Sequence, residues 1–194
     1  MSRPLIVATA SPNRRAILAD AGLKFESAVP QADESVRDGE SPKQYVKRLA
    51  LAKALSISGF GPDDLILSAD TCIDIEGEIL GKPRDETHAK EMLQRLSGKT
   101  HEVWGGIALR DDKTGKIDVR GLCTKVTFSK LSDEMIDWYI ATGEPMERAG
   151  SYAIQGKGRA LVESVDGCYT NVIGLSLPAV FQMLGETLSP FQLL

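Results

Sequence analysis

The sequence holds little of what zinc-binding and disulfide-stapled proteins depend on: three cysteines, Cys72, Cys123 and Cys168, and two histidines, His88 and His101. The cysteines form no C-x-x-C pair and are odd in number, which speaks against a disulfide framework and for a reducing compartment. Each is expected to be a small core residue rather than a nucleophile. Two separated histidines are too few for a His-rich zinc site and leave a carboxylate-bound magnesium open. A Ser-His-Asp triad would draw on the same two, and neither sits in a nucleophile-elbow context. Basic charge is not in excess, with 23 Lys plus Arg against 27 Asp plus Glu and a net charge of -4. Aromatics make up only 6% and no basic stripe interleaves with them. A nucleic-acid or membrane-surface partner is therefore not expected, and an anionic ligand has to be held by a local basic cluster. Apolar runs are short against the roughly 20 residues that span a bilayer. The stretch Leu5 to Ala10 is too short for a signal peptide and is followed by Arg14 and Arg15, while Val172 to Leu184 is interrupted by Ser176, Pro178 and Gln182. The chain is read as soluble and cytoplasmic.

What is present suits one globular core. The 194 residues, 42% of them hydrophobic, allow roughly 70% of the unfolded surface to be hidden, so a single domain over 1–194, with two lobes, is expected. Leu5 to Ala8 reads as a buried strand, followed by Ser11 as helix cap, Pro12 in the first turn and Gly22 past the end. A strand over Phe25 to Val29 and an acidic loop over Asp33 to Glu40 precede a long helix. Ser41 and Gln44 form its capping box, Tyr45, Leu49, Ala52 and Leu55 its apolar stripe, and Gly59 its close. Leu65 to Asp70 reads as a buried strand ending on a carboxylate, with a hairpin at Glu76-Gly77 returning through Ile79 and Leu80. A helix from Asp85 to Leu96 and two long strands, Thr100 to Leu109 and Ile117 to Ser129, come next. The helix begun by Ser132 is expected to turn Met135, Ile136, Tyr139 and Ile140 inward, and short strands with Gly-rich turns to fill the stretch before a last helix after Pro178. The class implied is α/β, a mixed twisted sheet with flanking helices.

Three groups of residues suggest chemistry. Arg14 and Arg15 stand in the first turn of a helix, where the macrodipole disfavours cations by about 0.3 to 1 kcal/mol each; a phosphate bound at Ser11 to Arg15 would offset this, and side chains pointing into solvent would also account for them. Asp70 and Thr71 follow an apolar strand, a placement that suits magnesium ligation or water activation, although turn-capping aspartates are common there. Asp33-Glu34 is a second acidic pair. Lys82, in Gly81-Lys82-Pro83, and Lys53, among alanines and leucines of the long helix, are candidates for neutralising phosphate charge. Neither Gly77 to Pro83 nor Gly98-Lys99-Thr100 satisfies a P-loop pattern, and Gln155-Gly156-Lys157-Gly158 is followed by a strand-like Leu161 to Val165 rather than a helix, so NAD binding is not expected.

Taken in order, Ala8-Thr9-Ala10-Ser11-Pro12-Asn13-Arg14-Arg15, Asp33-Glu34, Arg48-Leu49-Ala50 through Lys53-Ala54, Ala69-Asp70-Thr71 and Gly81-Lys82-Pro83 resemble the Maf family of nucleotide pyrophosphatases. Leu96 to Val103, Ala149 to Gly156 and Asn171 to Leu175 extend the resemblance over essentially the whole chain. It implies a two-lobed fold related to inosine-triphosphate pyrophosphatases with a central cleft, frequently as a homodimer. It also implies hydrolysis of a nucleoside triphosphate between its α and β phosphates, with a divalent cation (magnesium, manganese or cobalt). Carried onto this chain, Asp70 matches the proton acceptor. Ser11, Arg14, Lys53 and Lys82 match phosphate-cleft positions, and Glu34 a cleft acid that with Asp70 would hold the metal. Asn13, Thr71 and Gln155 match base-reading positions. One family branch, active on dTTP and UTP, has Arg, Thr and Gln there; another, active on 7-methyl-GTP, has Trp, Gln and Glu. Thr71 and Gln155 follow the first, Asn13 neither, and the Arg14-Arg15 doublet after it is closer to the second. The alternatives are a 7-methyl-GTP pyrophosphatase and a non-catalytic nucleotide-binding regulator of cell division.

Overall fold

The computed structural model describes residues 3–187, so the expected single domain over 1–194 extends at both ends outside the described residues. In chain order the elements are β1 (Leu5–Ala8), α1 (Pro12–Asp20), β2 (Glu26–Ala28), α2 (Pro42–Leu55), β3 (Leu65–Ile75) and β4 (Glu78–Leu80). Then follow α3 (Glu86–Leu96), β5 (Thr100–Asp111), β6 (Lys116–Phe128) and α4 (Asp133–Ile140). Three 3₁₀ turns (Glu144–Glu147, Ala149–Ser151, Lys157–Leu161) lead to β7 (Val162–Asp166), α5 (Tyr169–Ile173) and α6 (Leu177–Thr187). The α/β class and the mixed sheet are as expected: seven strands ordered β2-β1-β3-β5-β6-β7, with β4 pairing β3 off this path. β1 is parallel to β2 and β3, whereas β5 runs antiparallel to β3 and β6, and β6 antiparallel to β7. Parallel neighbours need crossover connections, which α1 and α2 supply; the antiparallel β5–β6 pair needs only a turn. That turn is fastened by Asp111, whose Oδ1 accepts from the Lys113 and Thr114 amides at 2.9 and 3.2 Å and whose carboxylate also binds Arg3.

Two departures from the sequence expectation shape the site. The strand expected to end on Asp70 continues to Ile75, paired with β5 from Leu65↔Asp111 to Asp74↔Glu102. Asp70 is thus mid-strand; the apolar alternation through Ala69, Ile73 and Ile75 carries the strand onward while Asp70 faces the opposite side. On α2 the buried residues are Val46, Leu49, Ala50, Lys53 and Ala54, whereas Leu55 is 54% exposed and Tyr45 and Ala52 are half-buried. The stripe is rotated from the expected one, and the rotation buries Lys53. The cause lies in the sheet: a Cβ on Gly106 of β5 would stand 2.1 Å from the Val46 carbonyl oxygen, so this glycine lets the helix settle on its Val46–Ala50 face. Ser68 then donates to the Ala50 carbonyl at 2.5 Å.

The remaining differences are smaller. α2 stops at Leu55, short of Gly59, where the Ser56 hydroxyl donates to the Lys53 carbonyl. On α4, Ile136, Tyr139 and Ile140 are buried as expected, but Met135 faces out. The stretch after α4 holds 3₁₀ turns, one strand and a short helix rather than alternating strands, because glycines recur through it without a two-residue apolar period. All three cysteines are free; Cys72 is buried, Cys168 half-buried, and Cys123, against expectation, exposed. No described helix is long and apolar enough to cross a membrane.

Candidate active site

The Ser11 cap and Pro12 start α1 as the sequence indicates, the Ser11 hydroxyl accepting from the Arg14 amide at 3.5 Å. The two arginines diverge. Arg14 turns across the end of the sheet, donating to the Gly174 carbonyl at 2.9 Å and to the Thr71 hydroxyl at 3.3 Å, and Thr71 itself donates to Gly174 at 3.1 Å. Arg15 folds back onto the Ala10 carbonyl at 3.1 Å. Burial lowers the Arg14 pKa while the charges of Asp70 and Glu34 raise it. Ser11, Asn13, Arg14, Thr71 and Gln155 all line one cavity of about 380 Å³. Its walls come from β3, the 3₁₀ turns after α4, and α5, including Ile73, Tyr152, Ile154 and Val172.

Beside Arg14 lies a charged cluster built by α2. Lys53 Nζ bonds Asp70 Oδ1 and Glu34 Oε1, each at 2.6 Å. Lys53 and Asp70 are both 7% exposed. Glu34 arrives on the acidic loop, which the same helix holds: the Tyr45 hydroxyl donates to the Glu34 carbonyl at 2.9 Å, and Arg48 donates to the Asp33 and Ser35 carbonyls at 3.2 and 2.9 Å. Arg48 also takes Glu40 in a fork at 2.6 and 2.7 Å. Burial pushes the Asp70 carboxyl above its usual range, against the opposing pull of Lys53 and Arg14. A buried carboxylate of raised basicity beside a cationic cleft is suited to taking a proton from water. Burial and the neighbouring Asp70 and Asp74 carboxylates drive the Cys72 thiol up to about 12, so this cavity-lining cysteine is not a nucleophile.

Lys82 stands apart from that cluster. It is exposed and pairs with Glu147 Oε2 at 3.0 Å, and Glu147 lines the cavity. The loop carrying Lys82 is tied to the opposite wall by the Gly150 amide, which donates to the Gly81 carbonyl at 3.0 Å. Sequence reading did not single out Glu144, Glu147, Arg148 or Tyr152, which also face the cavity. The run of glycines from Gly150 to Gly158 was the available signal, marking backbone that closes on neighbouring side chains.

Residues 4–187 match the family described as Maf-like protein. The chain belongs to the Maf-like family. Relatives named dTTP/UTP pyrophosphatase include one from Symbiobacterium thermophilum, 46% identical over 183 residues that cover 94% of this chain and 93% of the relative. Another, from Anaeromyxobacter dehalogenans, is 44% identical over 187 residues, 95% of this chain and 94% of the relative. A third, from Bacillus cereus strain AH187, is 44% identical over 185 residues, 95% of each.

The resemblance to Maf pyrophosphatases implies a divalent cation. Among the described residues no group of three or more His, Cys, Asp or Glu side chains is placed to hold one. Asp70 and Glu34 do converge on a single positive charge, the Lys53 ammonium, at 2.6 Å each. Two hard carboxylates fit a magnesium-type ion that is completed by waters and substrate phosphates; they do not form an all-protein cage.

Proposed function

We propose that this Maf-like protein hydrolyses dTTP and UTP to the nucleoside monophosphates and pyrophosphate. The observation that carries this reading is that Asn13, Thr71 and Gln155 share one cavity with Arg14, whose other neighbours are the Lys53–Asp70–Glu34 cluster. A base-reading end and a phosphate end thus meet at one arginine. The triphosphate lies along Ser11 and Arg14 and competes with the two carboxylates for Lys53, which releases Asp70. Asp70 then takes the proton of a water as that water attacks the α-phosphorus in line; the α–β bridging P–O bond breaks and pyrophosphate departs opposite. Lys53 and Lys82 neutralise the charge growing on the leaving group. Asp70 and Glu34 would also hold a divalent cation (magnesium, manganese or cobalt), which would supply further neutralisation of phosphate charge. The same reading places the enzyme in the cytoplasm, working on free nucleotides as a homodimer.

At the base end, the Gln155 amide both donates and accepts, matching the mixed edge of a pyrimidine dione. Its carboxylate counterpart in the 7-methyl-GTP branch only accepts. The test is a panel of purified common and modified nucleoside triphosphates, assayed for pyrophosphate release with each of the three metals. Turnover of dTTP and UTP above that of 7-methyl-GTP is expected. The reverse order overturns the pyrimidine reading, and absence of pyrophosphate release from every nucleotide favours a binding regulator.

A further inference from the structure

Gln155 is carried on the segment Ala153–Gly158, most of which precedes the last 3₁₀ turn and belongs to no strand or helix. Side chains from outside the segment hold it on two sides. The Tyr139 hydroxyl accepts from the Ala153 amide at 3.0 Å and donates to Glu144 Oε1 at 2.8 Å. The same Oε1 accepts from the Gly158 amide at 3.0 Å, and Oε2 accepts from the Lys157 amide at 2.9 Å. Backbone donors on both sides of Gln155 therefore converge on one Tyr–Glu pair. A Cβ on Gly156 would lie 2.1 Å from Glu144 Oε2, so the segment closes directly on the carboxylate. From the other side Arg159 donates to the Gly156 and Gln155 carbonyls at 2.9 and 2.7 Å.

Tyr139 is fully buried, while Glu144 is half-buried and lines the cavity. Burial works against ionisation of Glu144, but the Gly158 and Lys157 amides and the Tyr139 hydroxyl outweigh it and hold the carboxyl below its usual range. It stays a charged acceptor. The Gln155 side chain makes no hydrogen bond among the described residues, so what the structure fixes is the point on the cavity wall from which its amide reaches, and the backbone that carries it sets that point. An amide reads a base only when its donor and acceptor ends are fixed in place.

We infer that Glu144, braced by Tyr139, is the positioning residue that aims Gln155 and thereby sets base discrimination. The inference rests on the proposed pyrimidine triphosphate reading. Glu144→Gln keeps the size of the side chain but turns an amide N–H₂ toward one of the backbone N–H groups it must receive. Tyr139→Phe strips the Ala153 amide and Glu144 of their shared hydroxyl.

The experiment measures kcat/KM for UTP and CTP, with the melting temperature, in the wild type, Glu144→Gln, Tyr139→Phe, Gln155→Ala and the double variant Glu144→Gln/Gln155→Ala. Uracil and cytosine present opposite donor and acceptor groups at N3 and C4, so the UTP-to-CTP ratio reports the aim of the amide. Gln155→Ala is expected to collapse the ratio. Glu144→Gln and Tyr139→Phe should each lower it by roughly tenfold, the equivalent of one well-placed hydrogen bond. In the Gln155→Ala background Glu144→Gln should change the ratio no further. A lowered melting temperature with UTP and CTP reduced equally in both single variants makes the pair purely structural and overturns the inference. So does a fall in the ratio that persists in full in the double variant. If Gln155→Ala leaves the ratio unaltered, the base-reading role of Gln155 fails and takes the inference with it. Wild-type enzyme that does not prefer UTP overturns the proposed substrate itself.

Discussion

The Lys53 ammonium stands 2.6 Å from both the Asp70 and the Glu34 carboxylates, so α2, β3 and the acidic loop are joined through one charge. Two of the three groups are buried, and their removal is not equivalent: without Lys53 the Asp70 carboxylate loses its ion-pair partner in a place that water reaches poorly, whereas without the Asp70 charge Lys53 keeps Glu34.

Asp70→Asn keeps size and hydrogen-bonding shape while removing the charge and basicity. It should retain a melting temperature close to wild type and lose nearly all pyrophosphate release. Lys53→Met differs, because it strands the Asp70 carboxylate and should cost about 3 to 5 kcal/mol of stability together with activity. Thermal melts and a pyrophosphate assay on both variants check this. An active Asp70→Asn enzyme, or a Lys53→Met protein as stable as wild type, contradicts the cluster's assigned role.

Much of this site was legible because its cues are local. The Ser11-Pro12 start of α1, the Ser41–Gln44 capping box and the Glu76-Gly77 hairpin each depend on a few neighbouring residues, and each is present. The motifs containing Ser11, Asn13, Arg14, Thr71 and Gln155 marked residues that do share a cavity. What was not legible depends on long-range packing. Leu55 is as apolar as Leu49, and only the close approach allowed by Gly106 decides that Leu49 faces the sheet and Lys53 is buried. The extension of β3 beyond Asp70 is likewise fixed by pairing with β5, a partner some thirty residues on, rather than by its own turn signals. Glu144 carries no periodic pattern at all; its meaning comes from backbone amides at Lys157 and Gly158.

The divergence of the two arginines gives a paired test. Arg14 lines the cavity and bonds Gly174 and Thr71, whereas Arg15 bonds the Ala10 carbonyl. Arg14→Ala should lower kcat/KM by the equivalent of about 1.5 to 3 kcal/mol, the range for a charged hydrogen bond. Arg15→Ala should stay near wild type. Steady-state kinetics with the substrate identified in the nucleotide panel decide it, and a crippled Arg15→Ala beside a silent Arg14→Ala would reverse the assignment.

Lys82 and Glu147 form an exposed pair at the cavity rim, their side chains 62% and 82% accessible. Such pairs contribute about 0 to 1 kcal/mol to stability, so variants here separate function from folding. Lys82→Ala should leave the melting temperature unchanged and reduce kcat/KM. Glu147→Gln frees Lys82 for phosphate and should keep kcat/KM at the wild-type level or above it. Equal losses in the two variants would mean that the ion pair itself, and not the free lysine, supports turnover.

His101 gives the chain a pH dependence independent of the charged cluster. It is 1% exposed, lies edge-on to Phe128 and Tyr152, shares a 2.8 Å hydrogen bond between Nε2 and the Tyr152 hydroxyl, and has no partner for Nδ1 among the described residues. Burial pulls its pKa down from 6.5 to about 4. Above the unfolded-state value neither state binds this proton, and His101 contributes no slope. Between the two values the unfolded chain takes up a proton that the native imidazole refuses, so stability falls as pH is lowered through that window, by at most about 1.4 kcal/mol per pH unit. Urea denaturation at several pH values from neutral to 5 should show this decline in the wild type. His101→Phe removes the titrating group; it should start less stable at neutral pH, because Tyr152 loses its partner, and decline less steeply on acidification. Parallel pH profiles for the two proteins would show that the native imidazole takes up its proton as readily as the unfolded chain does and would contradict the lowered pKa of His101.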